Sequence, residues 1–84
     1  MTAFRIEPAG DGRLAASGEL DFATAAAALH AGLALIRGER VWTVDLAGIT
    51  SGDSAGLAVL VEWKSAARAR GCSVRYEAVP DQIL

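Results

Sequence analysis

The sequence predicts an α/β fold in which two helices pack on a mixed four-stranded sheet. Alternating apolar and polar residues at the start of the chain indicate two strands, divided by a turn rich in glycine. Two longer segments then repeat apolar residues at helical spacing, and each precedes a short segment rich in β-branched residues. The predicted order is therefore ββαβαβ. A chain of 84 residues suits one domain, spanning residues 1–84.

The first two strands are expected to form a hairpin. Residues 4–7 alternate apolar and polar side chains, and residues 13–20 continue the same pattern. The cluster Gly10-Asp11-Gly12 lies between them and suits a tight turn, because glycine adopts positive φ without steric cost.

The first helix is predicted to begin after Asp21, as its N-cap, and to end at Arg37, with Gly38 as the C-terminal cap. Its apolar residues recur at i, i+3, i+4 and i+7. These residues should form the buried stripe: Phe22, Ala25, Ala26, Leu29, Leu33 and Ile36. His30 falls beside the stripe and is expected at the surface rather than as a ligand.

The second half of the chain predicts strand, helix and strand. Residues 41–46 resemble a parallel strand covered on both faces, and residues 47–52 a short loop. A second helix is expected over residues 54–70, ended by Gly71, and a fourth strand over residues 73–79. Residues 80–84 resemble a helix start that the sequence does not continue, so a C-terminal helix should be short or missing.

Charge and composition exclude several functions. The net charge is −2, and Lys and Arg form no block, so the basic stripe of a nucleic-acid surface is missing. No apolar run reaches the ~18 residues of a membrane span, and the first residues do not resemble a signal peptide. We therefore expect a cytoplasmic protein that does not insert in a membrane. Neither a metal nor a cofactor is expected, since there is no His/Cys cluster and no phosphate-binding lysine motif.

The sequence does not predict an enzyme. Residues 52–56 match the G-x-S-x-G pattern of a nucleophile elbow, but that fold needs a far longer chain and a histidine after the serine. His30 is the only histidine and precedes Ser54. Cys72 is the only cysteine and has no visible base, so it is expected to be a small filler or loop thiol.

The start of the second helix carries the clearest functional signal. A helix N-terminus has unpaired N–H groups and a partial positive charge, so Asp53 or Ser54 can cap it and a phosphate on Ser54 would be stabilised there. Capping alone is the simpler interpretation of these two residues. Gly56 costs about 1 kcal/mol of helix propensity relative to alanine, which indicates a close backbone approach, either to the sheet or to a partner.

The second helix is also more apolar than a surface helix needs to be. A core-facing stripe requires somewhat over ~100° of the helix circumference, whereas its apolar residues span roughly 200°. These residues are Leu57, Val59, Leu60, Val61, Trp63 and Ala67. Part of the helix should therefore expose an interface, unless the sheet wraps it more than usual. Whether Trp63 or the pair Leu57 and Val61 is exposed stays open at this point.

These residues together resemble the STAS domain family, which includes the anti-sigma-factor antagonists. The resemblance rests on Val44-Asp45-Leu46, on Asp53-Ser54-Ala55-Gly56-Leu57 and on Leu60, with Gly18-Glu19-Leu20-Asp21 after the second strand. Within the family, residues 59–63 and 79–84 look more like the MlaB-like members. Those are STAS subunits of Mla-type ABC phospholipid transporters, which maintain outer-membrane lipid asymmetry.

The resemblance implies a non-enzymatic subunit that binds the ATPase subunit of such a transporter and supports its activity, peripheral to the inner membrane through that partner. Ser54 matches the family's phosphorylatable Ser/Thr. The expected partner-binding residues are Asp53, Ser54, Ala55, Gly56, Leu57 and, from the apolar arc, Val61. The alternative is an anti-sigma-factor antagonist, switched when an anti-sigma factor kinase phosphorylates Ser54.

Overall fold

A computed structural model describes residues 3–38 and 40–83. Its strands form one four-stranded mixed sheet in the order β1-β2-β3-β4. The strands are β1 (Arg5–Pro8), β2 (Arg13–Leu20), β3 (Val41–Gly52) and β4 (Ser73–Glu77). β1 pairs antiparallel with β2, whereas β2 with β3 and β3 with β4 pair in parallel. The predicted fold class and element order are confirmed.

The two helices, α1 (Ala25–Leu35) and α2 (Ser54–Ala69), cover one face of this sheet and contact each other. Trp63 of α2 is fully buried at their contact. Its indole N–H donates to the carbonyl of Leu29 at 3.3 Å, and a Cβ on Gly32 would lie only 2.2 Å from its ring. Glycine at position 32 therefore lets the two helices approach with the indole between them.

The predicted start of α1 is wrong by about one turn. An Asp21 Oδ1 atom accepts from the N–H groups of Ala23 and Thr24 at 3.0 and 3.2 Å, so it closes a separate turn instead of capping the helix. Thr24 is the N-cap residue. A short polar side chain can satisfy the backbone in a turn as well as at a helix end, and here the turn is favoured.

This shift also corrects the predicted buried stripe of α1. Phe22 precedes the helix and is 84% exposed, and Ala26 is exposed as well. The rest of the predicted stripe is confirmed: Ile36 is fully buried after the helix, and Ala25, Leu29 and Leu33 are half-buried against the core. Within the helix, the buried positions are Ala28 and Gly32. His30 is exposed, as predicted. The helix ends at Leu35, two residues before the predicted end, and Gly38 has a φ of +86° beyond it.

β3 is twice as long as predicted, because residues 47–52 continue the strand instead of forming a loop. They pair with β2 through two register shifts, with Gly48 opposite Ser17 and Gly52 opposite Leu20. The prediction that β3 is covered on both faces is also wrong. The face away from the helices is polar, and the ion pair Arg13–Glu77 (2.6 Å) bridges from β2 to β4 across it.

Both α2 and β4 end where a residue with positive φ turns the chain. Gly71, with φ +82°, follows α2, and the N–H of Cys72 donates to the carbonyl of Ala67 in a Schellman arrangement. β4 ends at Glu77, two residues earlier than predicted, and Ala78 then has a φ of +56°.

Beyond β4, the N–H of Ile83 donates to the carbonyl of Pro80 at 3.0 Å and closes one turn. Ile83 is buried against Gly52, where a Cβ would meet it at 2.6 Å. Leu84 lies outside the described residues. Among the helices formed by residues 3–38 and 40–83, none is long and apolar enough to cross a membrane.

Candidate partner-binding surface at the start of the second helix

Asp53 fixes the start of α2 and connects it to the preceding part of the chain. Its Oδ1 atom accepts from the N–H groups of Ala55 and Gly56 at 2.9 and 3.3 Å, which confirms that it is the N-cap. Its Oδ2 atom accepts from the N–H of Phe22 at 3.3 Å. Because Asp53 supplies the capping oxygen, Ser54 begins the helix with an exposed side chain.

Gly56 is buried, and its position explains why a glycine occupies the first turn. A Cβ at this residue would lie 2.2 Å from the carbonyl oxygen of Leu20, at the end of β2. The close approach that the sequence predicts is therefore made to the sheet. Gly56 positions the helix start and offers no accessible side of its own, so it contributes to a surface only indirectly.

The exposed apolar edge of α2 is the pair Leu57 and Val61. Their exposed fractions are 43% and 57%, whereas Trp63 is fully buried, which decides the alternative that the sequence leaves open. Together with Leu60, Lys64, Tyr76 and Val79, the pair lines a shallow groove of about 230 Å³ between α2 and β4. An apolar surface thus follows Ser54 on the β4 side of the helix.

A second apolar surface lies on the other side of α2 and was missed by the sequence reasoning. A groove of about 460 Å³ runs between α1 and α2, and Phe22 lines it with its side chain exposed. Its other lining residues are Ala25, Ala26, Leu29, Ala55, Ala58, Val59 and Glu62. We call it the Phe22 groove. The sequence predicted a buried Phe22 because its spacing fits the apolar stripe of α1. The signal for its exposure is the turn that Asp21 closes before the helix begins.

The predicted site residues therefore divide into a tip and two sides. Ser54 forms the exposed tip with Asp53, Ala55 leads into the Phe22 groove, and Leu57 and Val61 face the β4 side. A helix tip with apolar surface on both sides is suited to contact another protein, since burying exposed apolar side chains stabilises an interface.

Tyr76 is the titratable group of this region with a perturbed pKa. Its hydroxyl donates to the carbonyl of Leu60 at 2.6 Å, and burial raises its pKa above the ordinary value. Within residues 3–38 and 40–83, no three His, Cys, Asp or Glu side chains are grouped so that they could hold a metal ion. The chemistry that this surface offers is contact and hydrogen bonding at an exposed serine.

Comparison with solved structures finds proteins of similar fold. The chain is similar to a protein described as Mglu, with 29% identity and a TM-score of 0.68 over 95% of this chain and 20% of that one. Mglu in its native form in 4.3 M NaCl gives 19% identity and a TM-score of 0.67 over 98% of this chain and 27% of that one. The chain thus spans about a quarter or less of these proteins, and the likeness concerns the fold. No curated protein matches the chain.

The fold defines a class of small α/β domains in which two helices cover one face of a mixed four-stranded sheet. The family model described as "Mlab, STAS domain" matches residues 4–84. The chain therefore belongs to the STAS domain family, in its MlaB-like branch, which confirms the resemblance seen in the sequence. STAS domains are generally non-catalytic regulatory or accessory domains, and they typically interact with other proteins.

Proposed function

We propose that this chain forms one STAS domain, residues 1–84, and that it is the accessory subunit of an Mla-type ABC phospholipid transporter. It binds the ATPase subunit and supports its activity in maintaining outer-membrane lipid asymmetry. The observation that carries the proposal is the exposed Ser54 at a capped helix tip, with exposed apolar side chains on both sides. The MlaB-like family match supports the choice of partner.

The energetics favour docking through this surface. Phe22, Leu57 and Val61 are the large apolar side chains around the tip, and all three are exposed in the free chain. Fully burying a side chain of this size contributes roughly 1.5–3 kcal/mol. Aromatic residues surrounded by smaller contacts often dominate an interface, so Phe22 is the expected anchor.

The proposal is tested by Ser54→Arg and co-purification with the cognate ABC ATPase. A long charged side chain at the tip should abolish binding, while the fold stays intact because position 54 is exposed. Ala69→Arg provides a matched control, since Ala69 is an exposed small residue of the same helix at the end opposite its tip. Wild-type binding by folded Ser54→Arg would contradict the site, and no binding by the wild-type chain would contradict the function.

The second candidate is an anti-sigma-factor antagonist that a kinase switches by phosphorylating Ser54. It is favoured by one observation: Asp53 supplies the cap, so the exposed Ser54 side chain is not needed for it. Incubation with an anti-sigma factor kinase and ATP, followed by intact-mass measurement, separates the two functions. A phosphoryl mass increase that disappears in Ser54→Ala would favour the antagonist, and an unchanged mass would exclude it.

Both functions place the chain in the cytoplasm. As a transporter subunit it would lie at the inner membrane through its partner and would not insert itself. Fractionation of cells with and without the ATPase tests this. Membrane association should depend on the ATPase, and association that persists without it would contradict the proposed location.

A further inference from the structure

A trough runs along α2 beside β4, on the side of the helix away from α1. Four α2 residues on one helical face, Val61, Lys64, Ser65 and Arg68, line it with Ser73 and Val74 of β4, enclosing about 510 Å³. At Val61 and Lys64 it continues into the groove that reaches Tyr76 and Val79. We call the whole the β4 trough. It is apolar toward Val79 and basic toward Arg68.

The strand beside this trough is the edge of the sheet. β4 pairs with β3 and is the last strand in the order. No other strand of the described residues pairs with β4, so the backbone N–H and C=O groups on its outer side have no strand partner there. Such an edge is a template on which an extended segment of another chain can add.

The positive charges of the trough favour an acidic segment as the added strand. Lys64 and Arg68 are exposed, one helical turn apart, and neither forms an ion pair within residues 3–38 and 40–83. Like charges at i and i+4 repel each other, so an anionic group between them would relieve an unfavourable contact. None of the described residues that line the trough is acidic.

Spacing adds a geometric match. Residues i and i+4 of a helix are about 6 Å apart along its axis, and residues i and i+2 of a strand are roughly 6.6 Å apart. Two successive carboxylates on one face of an added strand would therefore reach Lys64 and Arg68 together.

We propose that β4 binds an extended acidic segment of a partner protein by strand addition. The segment's backbone pairs with the edge of β4, its alternate carboxylates contact Lys64 and Arg68, and an apolar side chain contacts Val61. A second copy of this chain is a poorer occupant, because a two-fold arrangement would bring the Lys64 and Arg68 side chains of both copies together. This site shares Val61 with the apolar surface beside Ser54, but it extends along β4 and goes beyond the docking on an ATPase.

The test uses short fluorescent peptides in which Glu alternates with Val, and the same peptides with Lys in place of Glu. By fluorescence anisotropy, the acidic peptide should bind at least roughly tenfold more tightly, and added salt should weaken it. N-methylation of its alternate amides should abolish binding, because it removes the backbone donors. In NMR spectra, the amide shifts should concentrate on Ser73–Glu77.

Variants of the protein complete the test. Lys64→Glu/Arg68→Glu should lose the acidic peptide and gain the basic one, while Arg5→Glu/Arg37→Glu, with the same net charge, should bind as the wild type. Lys64→Gln/Arg68→Gln is the milder variant to use if charge reversal disturbs the fold. It should bind the acidic peptide more weakly than the wild type does. Equal affinity for both peptides, no binding, shifts centred on Phe22, or self-association through β4 would each overturn the proposal.

Discussion

At the scale of single residues, Asp53 connects the parts of the surface. One carboxylate oxygen caps α2, and the other holds the N–H of Phe22, thirty-one positions earlier in the chain. The exposed aromatic ring and the exposed serine are thereby kept close to each other. The side chain of Ser54 is not used for capping, so its exposed hydroxyl is available to a partner or a kinase.

Gly56→Ala provides a test of the helix–sheet contact. Alanine is the better helix former by about 1 kcal/mol, but its Cβ would meet the Leu20 carbonyl, and overpacking costs about 1–3 kcal/mol. We expect the free energy of unfolding to fall by up to about 2 kcal/mol, measured by urea denaturation.

The control is Ala58→Gly, an exposed position of the same helix, which should lose about 1 kcal/mol through propensity alone. If Gly56→Ala is instead stabilised by about that amount, propensity dominates and the contact does not restrict position 56.

Residue-level predictions from sequence succeeded where one local interaction decides the outcome. A cap by Asp53 or Ser54 follows from their place before an apolar helix, and the structure selects Asp53. The exposure of His30 follows from its place beside the stripe. The exposure of Phe22 could not be predicted, because its spacing fits the stripe of α1 and the turn at Asp21 depends on hydrogen bonds with the following residues.

At the scale of elements, α2 contributes three surfaces. Trp63 faces α1 and the sheet, Ala58 faces the Phe22 groove, and Val61 faces β4. This division accounts for the wide apolar arc seen in the sequence. One part of the arc belongs to the core, and the remainder is free for contacts outside the chain.

Phe22→Ser tests the groove. The side chain is 84% exposed, so the free energy of unfolding should change by no more than about 0.5 kcal/mol. Docking on the ATPase should weaken roughly 10- to 100-fold, the loss expected for one buried aromatic anchor. Calorimetric titration measures both the affinity and the stoichiometry.

Val41→Ser is the matched control, because Val41 is also a large exposed apolar residue but lies at the start of β3, away from the tip. It should bind the ATPase as the wild type does. Equal binding by Phe22→Ser and wild type would exclude the Phe22 groove from the interface.

The length of β3 shows the limit of sequence patterns at this scale. Gly48 and Gly52 favour a loop by local preference, yet both pair with β2 in the sheet. Glycine is required at both positions, because a Cβ at position 48 would collide with Ser17 and a Cβ at position 52 with Ile83. Close packing with distant residues produces that requirement, and no local pattern contains it.

At the scale of the whole molecule, both helices cover one face and leave the other polar. Tyr76 belongs to the covered side and is the only tyrosine of the chain, so its phenol can be observed directly. Its hydroxyl is bonded to α2 through Leu60. The phenol therefore reports on the contact between β4 and α2.

We expect stability to fall at high pH because of Tyr76. Burial raises its pKa in the folded chain, so the unfolded chain loses the phenol proton first. Its contribution is complete below the unfolded pKa of about 10 and decreases above it by up to about 1.4 kcal/mol per pH unit. Urea denaturation at several pH values, compared with Tyr76→Phe, isolates this contribution.

Ultraviolet absorbance gives an independent check on the same group. In the native chain, the tyrosinate signal should appear only above the ordinary range or together with unfolding. A phenol that titrates near 10 in the folded chain would contradict its burial.

The strands occupy the sheet in the order in which they occur in the sequence. No strand is inserted between two others, so each new one can join the growing edge without separating a pair already made. During synthesis on a ribosome, the sheet can therefore assemble from β1 to β4 as the chain emerges. Among the described residues, the strand that joins last, β4, is also the one whose outer side has no strand partner.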